Sequence, residues 1–176
     1  MTVITLDRQK QVFDAFAELL SYPATDPAPA ARRCRDLVTG GKGSTKHLDS
    51  FLSRAEKARP HEMEELFSST FDLDPACAPY VGHHLCGEGP RRGVFLAKLA
   101  DVYRQDGFED RAGPAGELAD HVSVVLRYLS AVPAGPGRRA LLEDGLVPAL
   151  DKMLAAPLDP DNVYRSVLAA LREEVA

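Results

Sequence analysis

Tyr80–Leu129 reads YVGHHLCGEGPRRGVFLAKLADVYRQDGFEDRAGPAGELADHVSVVLRYL, and this stretch decides the fold. Leu96, Leu99, Ala100 and Tyr103 fall at i, i+3, i+4 and i+7, one face of a helix. Leu118, Val122, Val125, Leu126 and Leu129 make a second such stripe. Between them lie Gly107 and the breaker Ala112-Gly-Pro-Ala-Gly116, so the stretch predicts two helices joined by a polar loop.

The same period continues outward. Phe13, Phe16, Ala17 and Leu20 share a face, as do Leu48, Phe51, Leu52 and Ala55, and then Met63, Leu66, Phe67 and Thr70. Towards the C-terminus, Leu142, Leu146, Leu150, Met153 and Leu154 form one stripe, and Tyr164, Val167, Leu168 and Leu171 another. Sustained alternation at period two, the mark of a half-buried strand, is absent. Asp26-Pro27 and Asp159-Pro160 each set a capping carboxylate before a proline suited to a first helical position. Gly40 and Gly107 stand where helices should stop, and Ser44 or Thr45 is placed to cap the helix of Leu48. Pro133-Ala-Gly-Pro-Gly137 is the strongest breaker and a candidate hinge at 133–137. The expectation is an all-α, single-domain bundle of about eight helices spanning residues 1–176.

Bulk properties narrow the function. The chain has 176 residues, 45% hydrophobic and 27% charged, as expected for a globular protein able to bury one core. A net charge of −5 argues against generic binding to nucleic acid or to an anionic membrane. From His61 to Pro90 there is no Lys or Arg, whereas Glu62, Glu64, Glu65, Asp72, Asp74 and Glu88 lie there. That field is either a solvated face or an attraction for a basic partner. Three cysteines at irregular spacings suit a reducing compartment better than a disulfide framework. The N-terminus does not read as a signal peptide, and no uncharged apolar run reaches about 18 residues, so the sequence predicts a cytoplasmic protein.

Several clusters invite chemistry. Cys77, His83, His84, Cys86 and Glu88 offer soft ligands within a dozen residues, but without the paired Cys-x-x-Cys or His-x-x-x-His spacing of structural zinc. The same Cys77 or Cys86 could pair with His83, His84 or His121 as thiolate and imidazolium, although no nucleophile elbow is legible. Gly87–Gly93, with Arg91 and Arg92, could hold an anion at a helix entry, or Arg92 could simply pair with a local carboxylate. In Glu117-Leu-Ala-Asp-His121 the carboxylates suit a first helical turn. Facing a groove, they could instead take arginines of a guest peptide as bidentate pairs.

His84-Leu-Cys-Gly87, Arg92-Gly93, the helix reaching Tyr103 and Gly107, Glu117-Leu-Ala-Asp-His121 and Leu126-Arg-Tyr128-Leu129 occur in that order. Together they resemble the NarJ family, the nitrate reductase delta-subunit or molybdenum-cofactor assembly chaperones, in one all-helical superfamily with TorD and DmsD. Phe71-Asp72 matches a further motif of that family. The resemblance runs from about Leu66 to Leu129. The chain departs from it where Ala119 and Ser123 replace two prolines, where Arg127 stands for a glutamate, and where Ser69-Thr70 replace an aromatic.

The resemblance implies a non-enzymatic, system-specific chaperone. It would bind the N-terminal segment of an apo molybdopterin oxidoreductase catalytic subunit and support cofactor insertion and complex assembly. The molybdopterin would belong to the client, and the chaperone itself would hold no cofactor or metal. It would be a monomer or homodimer without stable membrane insertion. The implied peptide-binding residues are Phe71, Asp72, Tyr80, His84, Tyr103, Glu117, Leu118, Asp120 and His121. Asp72, Glu117 and Asp120 would form an acidic rim. Gly87, Arg92 and Gly93 would shape the turn, with Arg92 held against one of those carboxylates. The competing readings are a general helical peptide-binding adaptor and a small metal or thiol protein using Cys77, His83, His84 and Cys86.

Overall fold

Most residues of the apolar stripes lie on the inner faces of helices, Ala100 of the α6 stripe and Leu118 being exposed. In a computed structural model of the protein, residues 3–38, 41–59, 61–73, 75–110, 113 and 116–176 are described. The chain order is α1 (Val3–Leu19), α2 (Ala28–Leu37), α3 (Lys42–Ala55), α4 (Glu62–Phe71), a 3-10 turn (Pro75–Cys77), α5 (Val81–Cys86), α6 (Pro90–Gln105) and α7 (Val122–Ala131). There follow α8 (Pro136–Ala140), a π-helical turn (Leu141–Leu146) that runs directly into α9 (Val147–Ala155), and α10 (Val163–Glu174). Among the described residues there is no strand, only an isolated bridge between Tyr80 and His121. The all-α expectation holds. The helices beyond the expected eight include α5 and α8, of six and five residues, too short to display a 3.6-residue repeat.

α7 is the central rod. Val122, Val124, Val125, Leu126, Tyr128 and Leu129 are all buried, so it is enclosed on every side rather than along one stripe. α1 packs on α7 and on α2, and its Phe13, Phe16 and Ala17 are buried, as is Leu20 just beyond it. α3 packs on α10, where Phe51 meets Tyr164 edge to face at 5.3 Å. Phe67 and Phe71 of α4 reach the same Tyr164 ring, at 5.5 and 5.4 Å. One hydrophobic cluster runs from α1 to α10.

Helix ends follow local chemistry, with some differences from expectation. Asp26 accepts from the Ala28 amide at 2.9 Å, but one residue ahead of the cap: Pro27 takes the N-cap position, without a side-chain cap bond, and α2 starts at Ala28. Asp159, however, closes a turn on Asp161, and Asn162 caps α10 by accepting from the Tyr164 and Arg165 amides. The Asn162 side-chain amide also donates to Thr70 Oγ1 at 2.8 Å, which ties α10 to α4 and explains why the helix starts there. Ser44 and Thr45 do not cap α3, because both lie inside its first turn. Ser44 is buried and donates to Glu173 of α10 at 2.9 Å. Gly107 follows α6 with φ +67°, the left-handed conformation that glycine tolerates. Gly40, Asp74, Ala112, Pro114 and Ala115 lie outside the described residues. Of the Pro133–Gly137 breaker, Pro133, Ala134 and Gly135 lie between α7 and α8, and Pro136 and Gly137 open α8.

Candidate functional site

The site is built where two loops cross. The Val81 amide donates to the Asp120 carbonyl and the Val122 amide to the Pro79 carbonyl, each at 2.8 Å. This pair of bonds locks the entry of α5 to the entry of α7, and it is the isolated bridge between Tyr80 and His121. The two rings stack edge to face at 5.3 Å.

Asp120 points inward from this crossing and is completely buried. Its Oδ2 accepts from the Gly82 amide and from Arg92 Nε, both at 3.1 Å, and Oδ1 accepts from Arg92 Nη2 at 3.2 Å. Arg92 also lies 3.8 Å from Glu88 and 4.9 Å above the Tyr80 ring. The hydrogen bonds to Asp120 hold the guanidinium pKa above the usual value. Gly82 is required by proximity: a Cβ there would come within 2.7 Å of both Asp120 Oδ2 and Phe95 Cδ1.

A polar chain continues from the other side of Tyr80. Its hydroxyl donates to Glu117 Oε1 at 3.3 Å, and Glu117 Oε2 lies 4.0 Å from His121 Nε2. His121 caps α7, its Nδ1 accepting from the Ser123 amide at 3.1 Å. That acceptor role places the proton of the neutral ring on Nε2, facing Glu117. Ser123 Oγ sits 2.7 Å from the same Nδ1 and accepts from Arg127 Nη2 at 3.2 Å. Arg127 is held by Asp110 through two bonds, at 2.8 and 2.9 Å. Burial pushes the His121 pKa below that of an ordinary histidine, against the pull of Glu117. Burial, then Glu117, raises the Tyr80 hydroxyl. The arrangement carries hydrogen bonds and charge; where it sets a hydroxyl beside an imidazole, Ser123 Oγ at His121 Nδ1, both residues are buried and the hydroxyl is shared with Arg127.

The sequence pattern of the nitrate reductase delta subunit family matches residues 35–158, which include every residue of this crossing. The chain belongs to the nitrate reductase delta subunit family. It is 28% identical over 170 residues to the probable nitrate reductase molybdenum cofactor assembly chaperone NarJ of Bacillus subtilis, covering 95% of this chain and 89% of that protein. It is 28% identical over 130 residues to the nitrate reductase-like protein NarX of Mycobacterium tuberculosis, covering 74% of this chain and 19% of that one. With the nitrate reductase molybdenum cofactor assembly chaperone NarJ of Escherichia coli it shares 26% identity over 125 residues, 71% of this chain and 44% of that one.

Within this member of the delta subunit family, the residues expected at the surface divide in two. Phe71, Tyr103, Asp120 and His121 are buried. Phe71 belongs to the aromatic core around Tyr164. Tyr103 stacks on Tyr128 at 4.7 Å and donates to the Ala119 carbonyl at 3.0 Å. Asp120 is therefore not part of a rim, because its charge is already matched by Arg92. Asp72 and Leu118 are exposed, and Tyr80, His84 and Glu117 half-buried. Leu118 has the spacing of an α7 core residue, but α7 starts at Val122, and the bends that bury Asp120 turn Leu118 outward, 43% exposed. Glu117 and Asp120 likewise precede the helix rather than occupy its first turn. Gly87 and Gly89 take positive φ (70° and 110°) in the turn before α6, whereas Gly93 lies inside α6.

The Cys–His cluster disperses. Cys77 is buried and Cys86 half-buried. His83 meets Glu88 at 2.7 Å, and His84 Nε2 meets the Ala78 carbonyl at 2.7 Å. Among the described residues, no three His, Cys, Asp or Glu side chains converge as metal ligands. No helix among the described residues is long and apolar enough to cross a membrane. The sequence pattern gives no sign of the roles of Gly82, Asp110 and the Ser123–Arg127 link, which depend on loops meeting across the fold. Nor does it signal a hollow of about 690 Å³ beside Arg127, with Tyr22 and Pro23 in its wall and Asp14, Glu18 and Asp26 at its edge.

Proposed function

We propose that the chain is an assembly chaperone for a nitrate reductase-like molybdoenzyme, and that it holds the N-terminal segment of the apo catalytic subunit until cofactor insertion and complex assembly. Membership of the delta subunit family supports the chaperone role, as do the names of the Bacillus and Escherichia relatives. On this reading the molybdenum cofactor is the client's, and the chain does no covalent chemistry of its own.

One observation carries the binding site. Asp72 is exposed where α4 ends and Glu117 accepts from the Tyr80 hydroxyl at 3.3 Å, and each is followed by an exposed leucine, Leu73 and Leu118, at 78% and 43% exposure. Large exposed apolar side chains next to carboxylates suit a segment carrying arginines and an apolar stretch. Tyr22 donates to Glu64 of α4 at 2.8 Å and also lies in the wall of the hollow beside Arg127, so the acidic surface of α4 reaches that hollow and gives a longer segment room to extend. Asp120, His121 and Arg92 position this surface from beneath. His84 edges it.

The test is calorimetric titration with a synthetic peptide copying the N-terminus of the catalytic subunit from the same host. The pair D72K and E117K should weaken binding by about tenfold or more, as expected when charge complementarity is reversed. Charge reversal at exposed Glu143 and Asp144 should leave affinity unchanged. Equal affinity for the wild-type chain and the D72K/E117K variant would refute the site.

A further inference from the structure

The Pro133–Gly137 breaker borders a cavity of about 530 Å³ that has no part in the crossing described above. Leu129, Val132, Pro133, Pro136 and Leu142 give it an apolar wall. Three cations stand around it, Lys10 of α1 and Arg138 and Arg139 of α8. Glu143 is the one carboxylate among the lining residues described. It is exposed and makes no ion pair with any of the three among the described residues.

Arg138 lacks a counter-charge among the described residues. Its Nε donates to the Leu129 carbonyl at 3.0 Å, its Nη2 reaches Gln9 Oε1 at 3.4 Å, and its guanidinium lies 5.7 Å from the Phe13 ring centroid. All of these partners are neutral. The half-buried Arg92 and Arg127 each hold a carboxylate through two bonds, whereas among the described residues Arg138, like the half-buried Arg165, pairs with none; of these two only Arg138 lines the cavity. A guanidinium drawn into an apolar wall without a counter-charge keeps a desolvation cost that an anion would offset. Burial accordingly pulls its pKa down. Nη1 has no partner among the described residues, yet no polar side-chain atom there is left both buried and unpaired, so Nη1 opens outward.

We infer that this cavity binds a small organic anion, a carboxylate or phosphate monoester carried on an apolar body. The headgroup pairs with Arg138, Lys10 and Arg139 take up the remaining charge, and the body lies against Leu129, Val132 and Leu142. The volume is within the range of small-molecule pockets. This accumulation of cations is local, since the chain as a whole carries −5.

The experiment titrates the full chain with octanoate, octyl phosphate, octanol and inorganic phosphate, followed by NMR shifts and thermal stabilisation. Octanoate or octyl phosphate should bind, and comparison of the two identifies the headgroup. Octanol and inorganic phosphate should bind about tenfold more weakly or not at all, because each supplies half of the recognition. R138Q should abolish binding. The K10E/R139E pair changes exposed side chains and cannot be dismissed as unfolding; it should weaken the anions by about tenfold while leaving octanol unaffected. Equal binding of octanol and octanoate, unchanged anion affinity in K10E/R139E, or no binding by either amphiphilic anion would overturn the inference.

Discussion

Arg92 and Asp120 meet through two parallel hydrogen bonds, the arginine 15% exposed and the carboxylate entirely buried, so that the first turn of α6 is pinned to the residue before the α7 cap. The pair does not stand alone, because the Gly82 amide of α5 completes the carboxylate's coordination. Three chain segments that are distant in sequence thus converge on one charge. R92M should destabilise the protein by about 3–5 kcal/mol, the usual cost of leaving a buried charge without its partner. Urea unfolding measures it. If R92M and D120N are each destabilising but their combination costs little more than one alone, the pair acts as a unit; strict additivity would show that it does not.

Gly82 contributes by having no side chain. G82A would push a methyl into Asp120 Oδ2 and Phe95, each 2.7 Å away. Its φ lies outside the left-handed region, so backbone strain is not the issue. Overpacking of this kind costs about 1–3 kcal/mol. Since Asp120 is fixed and Phe95 is half-buried, the phenylalanine is the side chain that has to give. The double variant G82A/F95L should therefore recover part of the loss, and a melting series over the wild type, both single variants and the double variant would show whether it does.

Helical stripes are legible wherever the repeat runs for two turns. Phe13, Phe16, Leu48, Phe51, Tyr164 and Leu168 all lie in the core, as their spacing requires. Leu118 escapes the rule because i+4 spacing to Val122 continues unchanged across a cap, although the chain leaves the helix there. An aspartate before a helix is ordinarily solvated, so pattern alone sets Asp120 at the surface. Its burial depends on Arg92, 28 residues away, and on the gap at Gly82, neither of which has a local signature. That Arg92 holds the turn against a nearby carboxylate does follow from charge, and the carboxylate is Asp120. The acidic character around Asp72 and Glu117 is visible in the sequence, but the loop crossing decides which carboxylates reach solvent.

Ser123 and Arg127 show two departures from the family pattern working together. Where that pattern has proline, Ser123 supplies an amide to His121 Nδ1 and a hydroxyl to Arg127. Neither bond is open to proline, which has no N–H and no side-chain oxygen. S123P should destabilise by about 1 kcal/mol through loss of the cap, although proline itself is tolerated in a first helical turn. S123A keeps the amide and should cost less. Chemical denaturation should therefore rank S123A as the more stable variant; the reverse order would mean that the cap contributes nothing.

His121 makes the fold sensitive to mild acid. Burial is the main reason that its native pKa lies below the ordinary 6.5, and the charges around it are Glu117, Arg127, Asp120 and Asp72, with the Tyr80 ring against its face. Protonation would also set an N–H on Nδ1 against the Ser123 amide, whose bond that nitrogen now accepts. His84 is shifted in the same direction, again mainly by burial. Between the native pKa and 6.5 the unfolded chain therefore binds more protons than the folded one, so stability rises with pH in that interval. The contribution of each histidine is complete above about 6.5 and declines as pH falls towards its native value, with a limiting slope of about 1.4 kcal/mol per pH unit for one proton. Glu62 loses its contribution in a separate and more acidic window: Arg54 holds its pKa down at about 2, so that contribution fades only as pH falls below the ordinary carboxylate value of 4.5. Urea unfolding at intervals from pH 7.5 to pH 5 isolates the histidines. H121N keeps an acceptor for the Ser123 amide, since asparagine is a good cap, but it cannot titrate. Its stability should change less with pH than that of the wild type over this range, and H84Q should remove a further part of the slope. Parallel pH profiles for the wild type and H121N would show that the buried imidazole does not stay neutral by virtue of the fold.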